Sequence, residues 1–600
     1  MEKKIILTVE TPEGARIRVF SVEHPDEKDL HKETELAPVS VGEVTKFELV
    51  PDRYVIRQEK SGFYTSDRCL DLTEDTTLSL PLEERFGYGY EPSEEQVNFF
   101  YEGWDKFAPD EDDRWAPYEV IFDTPAFQKR EGAGKHRVYT NEEMWDFVLE
   151  EEKKNPNMKV YTLFESRVYN LPAPIAVFSK ELPEGDLTLE ELGAALQKTG
   201  KPVVHYQAQI HGNETSGGNA ALGLIKYLAT PEGEKLLDKI HLYIIPRANP
   251  EGALLYRRTG GKGLDLNRDY LSLYSAENQG GFRAFRAFRP CLVIDAHELR
   301  SRKLSREMRY EDIQLSSGVA PNADPEFLDN NLNLLYEATY EMQKYGIRNY
   351  FYLDHVSGVE MSTSTRFFVE RGAMTVLIEC RGINLGNERS RRRVMGQFTA
   401  ARKMLEEVAE HPEKYATAAR REQESYLNPF DREFVVEGAY TDDPEHDPKF
   451  PITYFDVQTG ETLRTEDKPL TVYRKIVRTR PRPKCYVLPL GKVWEAELIA
   501  LLDRQFITYE KRDPSERYEL TQFVRKEGKI ALSEKQTRTF PKGALVIPVA
   551  QEASRIVSFL FEADCPDSKA AKELFTLEKH LQGFFFPEGD EFDVFREELQ

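Results

Sequence analysis

Through residues 1–83, apolar side chains recur at every second position: Ile5/Leu7/Val9, Ile17/Val19, Phe47/Leu49, Tyr54/Ile56 and Leu78/Leu80/Leu82. Turn formers such as Pro12-Glu13-Gly14 and Pro51-Asp52 separate these runs. Strict alternation between turns predicts a small antiparallel β-sandwich, a packing or spacing domain that gathers no catalytic residue types.

At Thr140 the period changes. Thr140-Asn141-Glu142-Glu143 forms a capping box ahead of Met144, Phe147 and Val148, so a helix starts there. Strand-like runs then alternate with helical ones: Val160–Phe164, Ile175–Phe178, Pro202–Ile210, a helix through Ala220, Leu224 and Leu228, Ile240–Ile245 and Cys291–Asp295. A helix near Asn331–Tyr345, the strand Met374–Cys380 and a helix with Val394, Phe398, Ala401, Leu405 and Val408 on one stripe follow. This alternation predicts an α/β fold, a mixed, largely parallel sheet with helices on both faces.

Beyond Asn428-Pro429 and the polar stretch 441–451 the pattern restarts. Cys485–Pro489, a helix over Val493–Leu502, Phe506–Tyr509, Ala544–Val549 and a helix over Ile556–Phe561 predict a second, smaller α/β domain. The expected division is therefore 1–83, 84–425 and 426–600. The basic run Arg474, Lys475, Arg478, Arg480, Arg482 and Lys484 reads as a charged strand edge guarding against unwanted pairing.

Composition narrows the function. With 81 Lys+Arg against 104 Asp+Glu, the 600-residue chain carries a net charge of −23. That average field repels polyanions, which argues against nucleic-acid binding as the main task. Nothing approaches 18 consecutive apolar residues, so no membrane insertion is expected. The N-terminal apolar run is short and ends in acid, and five scattered cysteines without a CxxC pair read as free thiols, so the expected location is cytoplasmic unless a leader has been removed.

The chemistry gathers at predicted strand ends. Pro202–Ile210 runs into His211-Gly212-Asn213-Glu214, where an imidazole and a carboxylate three residues apart can share one cation. The next buried strand ends in Asp295-Ala296-His297-Glu298, supplying a third ligand, and ligand crevices lie beyond the carboxyl ends of such strands. Of the other histidines, His205 reads as a core residue, and His24, His446 and His580 as exposed. Glu379 ends the apolar run Met374–Ile378, a costly place for an unpartnered carboxylate. Between these segments lie Asn249-Pro250-Glu251-Gly252, Tyr256-Arg257-Arg258-Thr259 and Asp265-Leu266-Asn267-Arg268, donors suited to a carboxylate. Gly260-Gly261-Lys262-Gly263 fits neither phosphate-loop pattern.

In this order, these motifs resemble the zinc metallocarboxypeptidases related to carboxypeptidases A and B, over roughly Thr140 to Val408. The first domain similarly resembles the transthyretin-like sandwich found beside some of them. The resemblance implies one Zn²⁺ per chain held by His211, Glu214 and His297, with Asp265 orienting His211. It implies Glu379 as the general base for a zinc-bound water and Arg257 as the oxyanion donor, with the adjacent Arg258 able to exchange roles. Asn267 and Arg268 would clamp the free C-terminal carboxylate of a peptide substrate. The implied activity is that of a hydrolase, a metalloprotease removing one C-terminal amino acid.

Two departures stand out. The family tyrosine expected about twenty residues before the glutamate is absent between Leu353 and Glu379, with Tyr350, Tyr352 and His355 lying early. The segment that reads the terminal side chain in the family is Met361–Phe368 here, where Arg366 is either a counter-charge for an acidic terminal residue or one half of a structural salt bridge. Competing readings are a zinc amidohydrolase of the aspartoacylase type acting on N-acyl amino acids, a non-catalytic peptide- or glycan-binding relative, and an interaction scaffold.

Overall fold

The computed structural model describes residues 3–22, 33–60, 66–80, 109–128, 138–261, 263–299, 307–309, 311–318, 320–352, 355–356, 363–383, 385–442, 450–456, 461–468, 471–492, 494–526, 529–563 and 591–599. His24, His446, His580, Leu82 and Met361 lie outside these residues. Two compact units are present: Met1–Gly89 with Arg167–Leu171, and Tyr90–Ser166 with Pro172–Gln600.

In the first unit, Val44–Leu49, Ile5–Glu10 and Thr76–Leu78 form one sheet, and Glu33–Leu36, Ala15–Val22, Asp52–Lys60 and Ser66–Leu72 form another. Ile5, Leu7, Val9, Phe47 and Leu49 from the first meet Ile17, Val19, Tyr54 and Ile56 from the second in one core. This is the sandwich that period-two alternation dictates, since each pleated strand can bury only one face.

The second unit is built on an eight-stranded sheet in the order Asn349–Phe351, Ile313–Ser317, Met374–Arg381, Leu292–Leu299, Val203–Ala208, His241–Ile245, Pro172–Phe178 and Met158–Glu165. The four central strands run parallel, so their carboxyl ends open on one side. Pro172–Phe178 and Met158–Glu165 add antiparallel at one edge, and Ile313–Ser317 pairs antiparallel with Met374–Arg381 at the other. Leu292, Ile294 and Ala296 pack with Leu224 of the helix Thr215–Leu228 and Phe398 of the helix Ser390–Glu410. Val293 points the other way, towards Phe282, Phe285 and Phe367 of the helices Ala276–Phe288 and Ser364–Glu370. Both faces of the sheet are thus covered by helices, as the runs of buried residues in its strands require.

The capping box forms as expected: Thr140 Oγ1 accepts from the Glu143 amide at 3.2 Å, and Glu143 Oε2 accepts from the Thr140 amide at 2.7 Å. The helix Ala276–Phe288 escaped the periodicity analysis because Gly280-Gly281 interrupts it; Gly280 admits Phe164, whose ring would lie 2.7 Å from an added Cβ.

Residues 426–600 do not stand apart from the rest of the second unit. Phe434, Tyr486, Leu502 and Phe559 share a core with Ile210, Leu266 and Phe367. The C-terminal sheet is antiparallel, in the order Glu510–Arg512, Ala544–Pro548, Cys485–Pro489, Glu591–Glu597, Tyr518–Lys526 and Lys529–Leu532, with helices at Glu495–Arg504 and Ser554–Phe561. The expected strand at Phe506–Tyr509 begins later, at Glu510. Thr471–Arg480 pairs along its length with Phe434–Asp442 but meets His355–Val356 only at Thr471 and Val472, so among the described residues the basic run from Arg474 to Arg480 is paired on one side, as a charged strand edge. Three of its charges are paired, Arg474 with Asp329, Arg478 with Glu437 and Arg480 with Glu562.

On the face away from Asp295 and His297, Glu298 is buried and accepts two hydrogen bonds from Arg393 Nη2 at 2.6 and 2.8 Å and one from the Ser216 amide at 2.6 Å. This pair fastens the helices Thr215–Leu228 and Ser390–Glu410 to the central strand. Arg393→Leu, which strands a buried carboxylate, should lower unfolding stability by about 3–5 kcal/mol, read from the urea midpoint.

Candidate metal centre

Val203–Ala208 passes through Gln209, left-handed at φ 55°, into the His211–Glu214 turn that opens the helix Thr215–Leu228. Gln209 secures this strained corner by donating from Nε2 to the Gly212 carbonyl (2.9 Å) and accepting from Arg247 Nε (2.9 Å). Residue 212 must be glycine, because an added Cβ would sit 1.8 Å from the carbonyl carbon of Gly252. Asn249 clamps the same junction: its Oδ1 accepts from the Gly252 amide (2.7 Å), and its Nδ2 donates to the carbonyls of Ile210 (3.0 Å) and Arg258 (3.3 Å).

These constraints bring His211, Glu214 and His297 together, all nearly inaccessible to solvent. One ligand atom from each lies within 4.8 Å of the others. His211 Nδ1 is 2.7 Å from Glu214 Oε1, His297 Nδ1 is 3.0 Å from Glu214 Oε2, and the two Nδ1 atoms are 3.2 Å apart. The opposite nitrogens face carboxylates: His211 Nε2 lies 3.2 Å from Asp265 Oδ1 and His297 Nε2 3.3 Å from Asp295 Oδ2. Carboxylates behind both rings fix their orientation and leave the Nδ1 lone pairs for the centre. Two imidazoles and one carboxylate are a donor set that Zn²⁺ accepts, and the residues fit that ion.

The electrostatics agree. Burial works against the charge on Glu214, yet His211 and His297 hold its carboxyl down at about 2. Burial is likewise outweighed at Asp265, which His211 and Arg258 keep well below the usual range. His297, despite burial, is held well above its ordinary value by Asp295 and Glu214. The pocket attracts positive charge before any ion enters.

Glu379 lies on the strand beside this cluster, in register with His297. Its Oε2 is buried without a hydrogen-bond partner. Burial raises its pKa to about 7, with His297 opposing and Glu214 reinforcing the shift.

The zinc carboxypeptidase family model matches residues 174–290, which include His211, Glu214 and the Asp265–Arg268 segment. Over that stretch the chain is similar to the zinc carboxypeptidases. Carboxypeptidase 2 of Trichophyton equinum is 23% identical over 328 residues, covering 50% of this chain and 59% of its own. Carboxypeptidase 2 of Trichophyton rubrum is 26% identical over 317 residues, covering 48% and 56%. The chain thus spans less than two thirds of these curated relatives. A metallo-carboxypeptidase structure from Burkholderia cenocepacia is 17% identical with a TM-score of 0.35, over 45% of this chain and 70% of that one.

Not every residue that the resemblance implies joins the His211, Glu214 and His297 cluster. Arg258, and not Arg257, lies against it: Arg258 Nη1 is 3.3 Å from His211 Nδ1 and 3.8 Å from Glu214 Oε1, while its Nε donates to Asp265 Oδ2 at 2.8 Å. Arg257 instead donates to the Gly260 and Gly261 carbonyls, each at 2.5 Å. Arg366 is fully buried and ion-paired with Glu370 at 2.7 Å, so its charge is already met inside the fold. Asn267 Oδ1 accepts from the Ser364 amide (2.8 Å) and hydroxyl (3.0 Å), and Arg268 Nη1 donates to the Asn267 carbonyl (2.8 Å). Tyr350 is buried in the sheet, where Gln314 separates its strand from that of Glu379. His205 is a core residue stacked on Tyr243, and burial lowers its pKa to about 3.

Sequence reasoning assigned no role to Asp295 or Ser364. Asp295 accepts from Gln207 Nε2 (2.9 Å) and from the Ser364 hydroxyl, so the carboxylate behind the His297 ring is tied through Ser364 to Asn267. The signal was present: residues 295 and 297 share one face of a strand by period-two alternation.

Gly212→Ala should displace the His211 turn and leave purified protein with far less than one zinc per chain by metal analysis. In the metal-free chain Glu214, depressed from 4.5 to about 2, contributes stability that is complete above pH 4.5 and lost as pH falls towards 2. The gap in urea midpoint between wild type and Glu214→Gln should therefore close across that interval.

Proposed function

We propose that this chain is a zinc-dependent carboxypeptidase that removes the C-terminal amino acid of a peptide. The observation that carries the reading is the convergence of His211, Glu214 and His297 at the carboxyl ends of parallel strands, with the unbonded carboxylate oxygen of Glu379 on the neighbouring strand. His211, Glu214 and His297 hold the metal. When bound, Zn²⁺ supplies Lewis acidity towards the scissile carbonyl and activates water.

Glu379 takes the proton from the attacking water and returns it to the departing amine. A pKa pushed up to about 7 suits both halves of that task near neutral pH. Arg258 supplies positive charge where the oxyanion develops, a role its position beside the cluster favours over Arg257. Asn267 and Arg268 bind the terminal carboxylate of the substrate, and Asp265 and Asp295 orient the two imidazoles. Hydrolysis of the last peptide bond is the reaction this set serves.

Glu379→Gln should keep one zinc per chain yet lower kcat on the order of 10²–10⁴-fold; a fully active variant would show the base to be misassigned. Arg258→Gln should cost on the order of 10²–10³ in kcat, with Arg257→Gln markedly milder. A peptide amidated at its C-terminus should be cleaved far more slowly than the same peptide with a free carboxylate. Equal cleavage of both would remove Asn267 and Arg268 from carboxylate recognition.

A further inference from the structure

A second concentration of positive charge lies outside the residues assigned above. Phe282 and Phe285 of the helix Ala276–Phe288 form part of the lining of a cavity of about 40 Å³, room for roughly three waters. Three arginines also line it: Arg286, Arg289 and Arg371. Glu552 is the carboxylate among its lining residues, and it pairs with both Arg286 (3.5 Å) and Arg289 (3.1 Å). The lining therefore holds an excess of two positive charges in a chain whose net charge is −23.

Arg371 is the informative member. Its residue is 7% exposed, and Nη2 donates to the Gln505 carbonyl (3.1 Å) and to Gln505 Oε1 (2.6 Å). The guanidinium lies 4.8 Å from the Phe282 ring centre and 5.3 Å from that of Phe367. Those partners are neutral, and among the described residues no carboxylate comes within ion-pair distance. Nε has no hydrogen-bond partner. Burial, and next the charge of Arg286, disfavour its cationic form. A buried charge left in this condition is costly unless a counter-charge arrives. Tyr426, 3% exposed, adds a buried hydroxyl without a partner to the same lining. Arg286 is steadied by Phe506, whose ring centre is 3.7 Å from its guanidinium carbon.

We propose that this cavity is a binding site for a small oxyanion, a phosphate, sulfate or short carboxylate, neutralised by Arg371 and Arg286 and hydrogen-bonded by Tyr426. The planar guanidinium fork suits such a ligand, and the enclosed space is on the scale of a small anion. The site is independent of the peptidase reading, since it shares no residue with the metal centre.

Calorimetric titration of the full-length, zinc-free chain with inorganic phosphate, sulfate and succinate, against sodium chloride at matched ionic strength, tests this. One saturable site per chain is expected for at least one of the three, and the preferred anion identifies the ligand class. Arg286→Gln at the partly exposed rim should weaken it about tenfold, as should Arg371→Gln if that variant folds. Tyr426→Phe should weaken it more modestly. Arg268→Gln, in the proposed peptide site, should leave it unchanged. Absence of saturable binding for all three anions would overturn the proposal. Binding indifferent to Arg286→Gln but lost in Arg268→Gln would do the same.

Discussion

Two imidazole nitrogens 3.2 Å apart, both pressed against one buried carboxylate, form an arrangement that only positive charge at its centre can satisfy. Bringing three such donors out of water is costly, and the fold commits much of its local architecture to doing so. The left-handed corner at Gln209, the bare backbone at Gly212, the Asn249 clamp and the carboxylates behind each ring all serve to hold donors that would otherwise separate. Such over-determination is what allows strain and buried polarity to persist at one place in a structure.

The central strand carries opposite demands on its two faces. Asp295 and His297 face the candidate metal centre, while Glu298, one residue on, turns to the helices and is neutralised by Arg393. The Glu298 amide also donates to Glu214 at 3.0 Å, so backbone as well as side chains joins the anchor to the ligand cluster. Packing and chemistry are therefore mechanically continuous: the ion pair that holds the helices also fixes the strand from which the ligand projects.

Much of this was legible in the sequence. Alternation at period two gave the first unit's sandwich, and the switch to helical periodicity at Thr140 gave the α/β sheet. The positions of His211, Glu214, His297 and Glu379 at strand ends follow from apolar runs that stop abruptly at polar residues. What escaped had physical reasons. The helix Ala276–Phe288 is hidden by a glycine pair, of which Gly280 admits Phe164. Arg257 and Arg258 are adjacent in the chain, and which of them faces the cluster depends on turn geometry that a four-residue motif does not encode. Glu370 follows Arg366 at the i,i+4 spacing of a helical ion pair, a partner legible in the sequence, whereas the complete burial of both depends on tertiary packing. The continuity of residues 426–600 with the sheet domain rests on long-range burial, for which linear patterning has no marker.

His297 and Glu379 occupy paired positions on neighbouring parallel strands. Their spacing is consequently set by the ladder of main-chain hydrogen bonds, and a slip of one residue would send one of them to the opposite side of the sheet. The segments that follow the strands carry no such obligation. Substitutions in those segments would alter what the crevice admits while the pleat keeps the distance between His297 and Glu379.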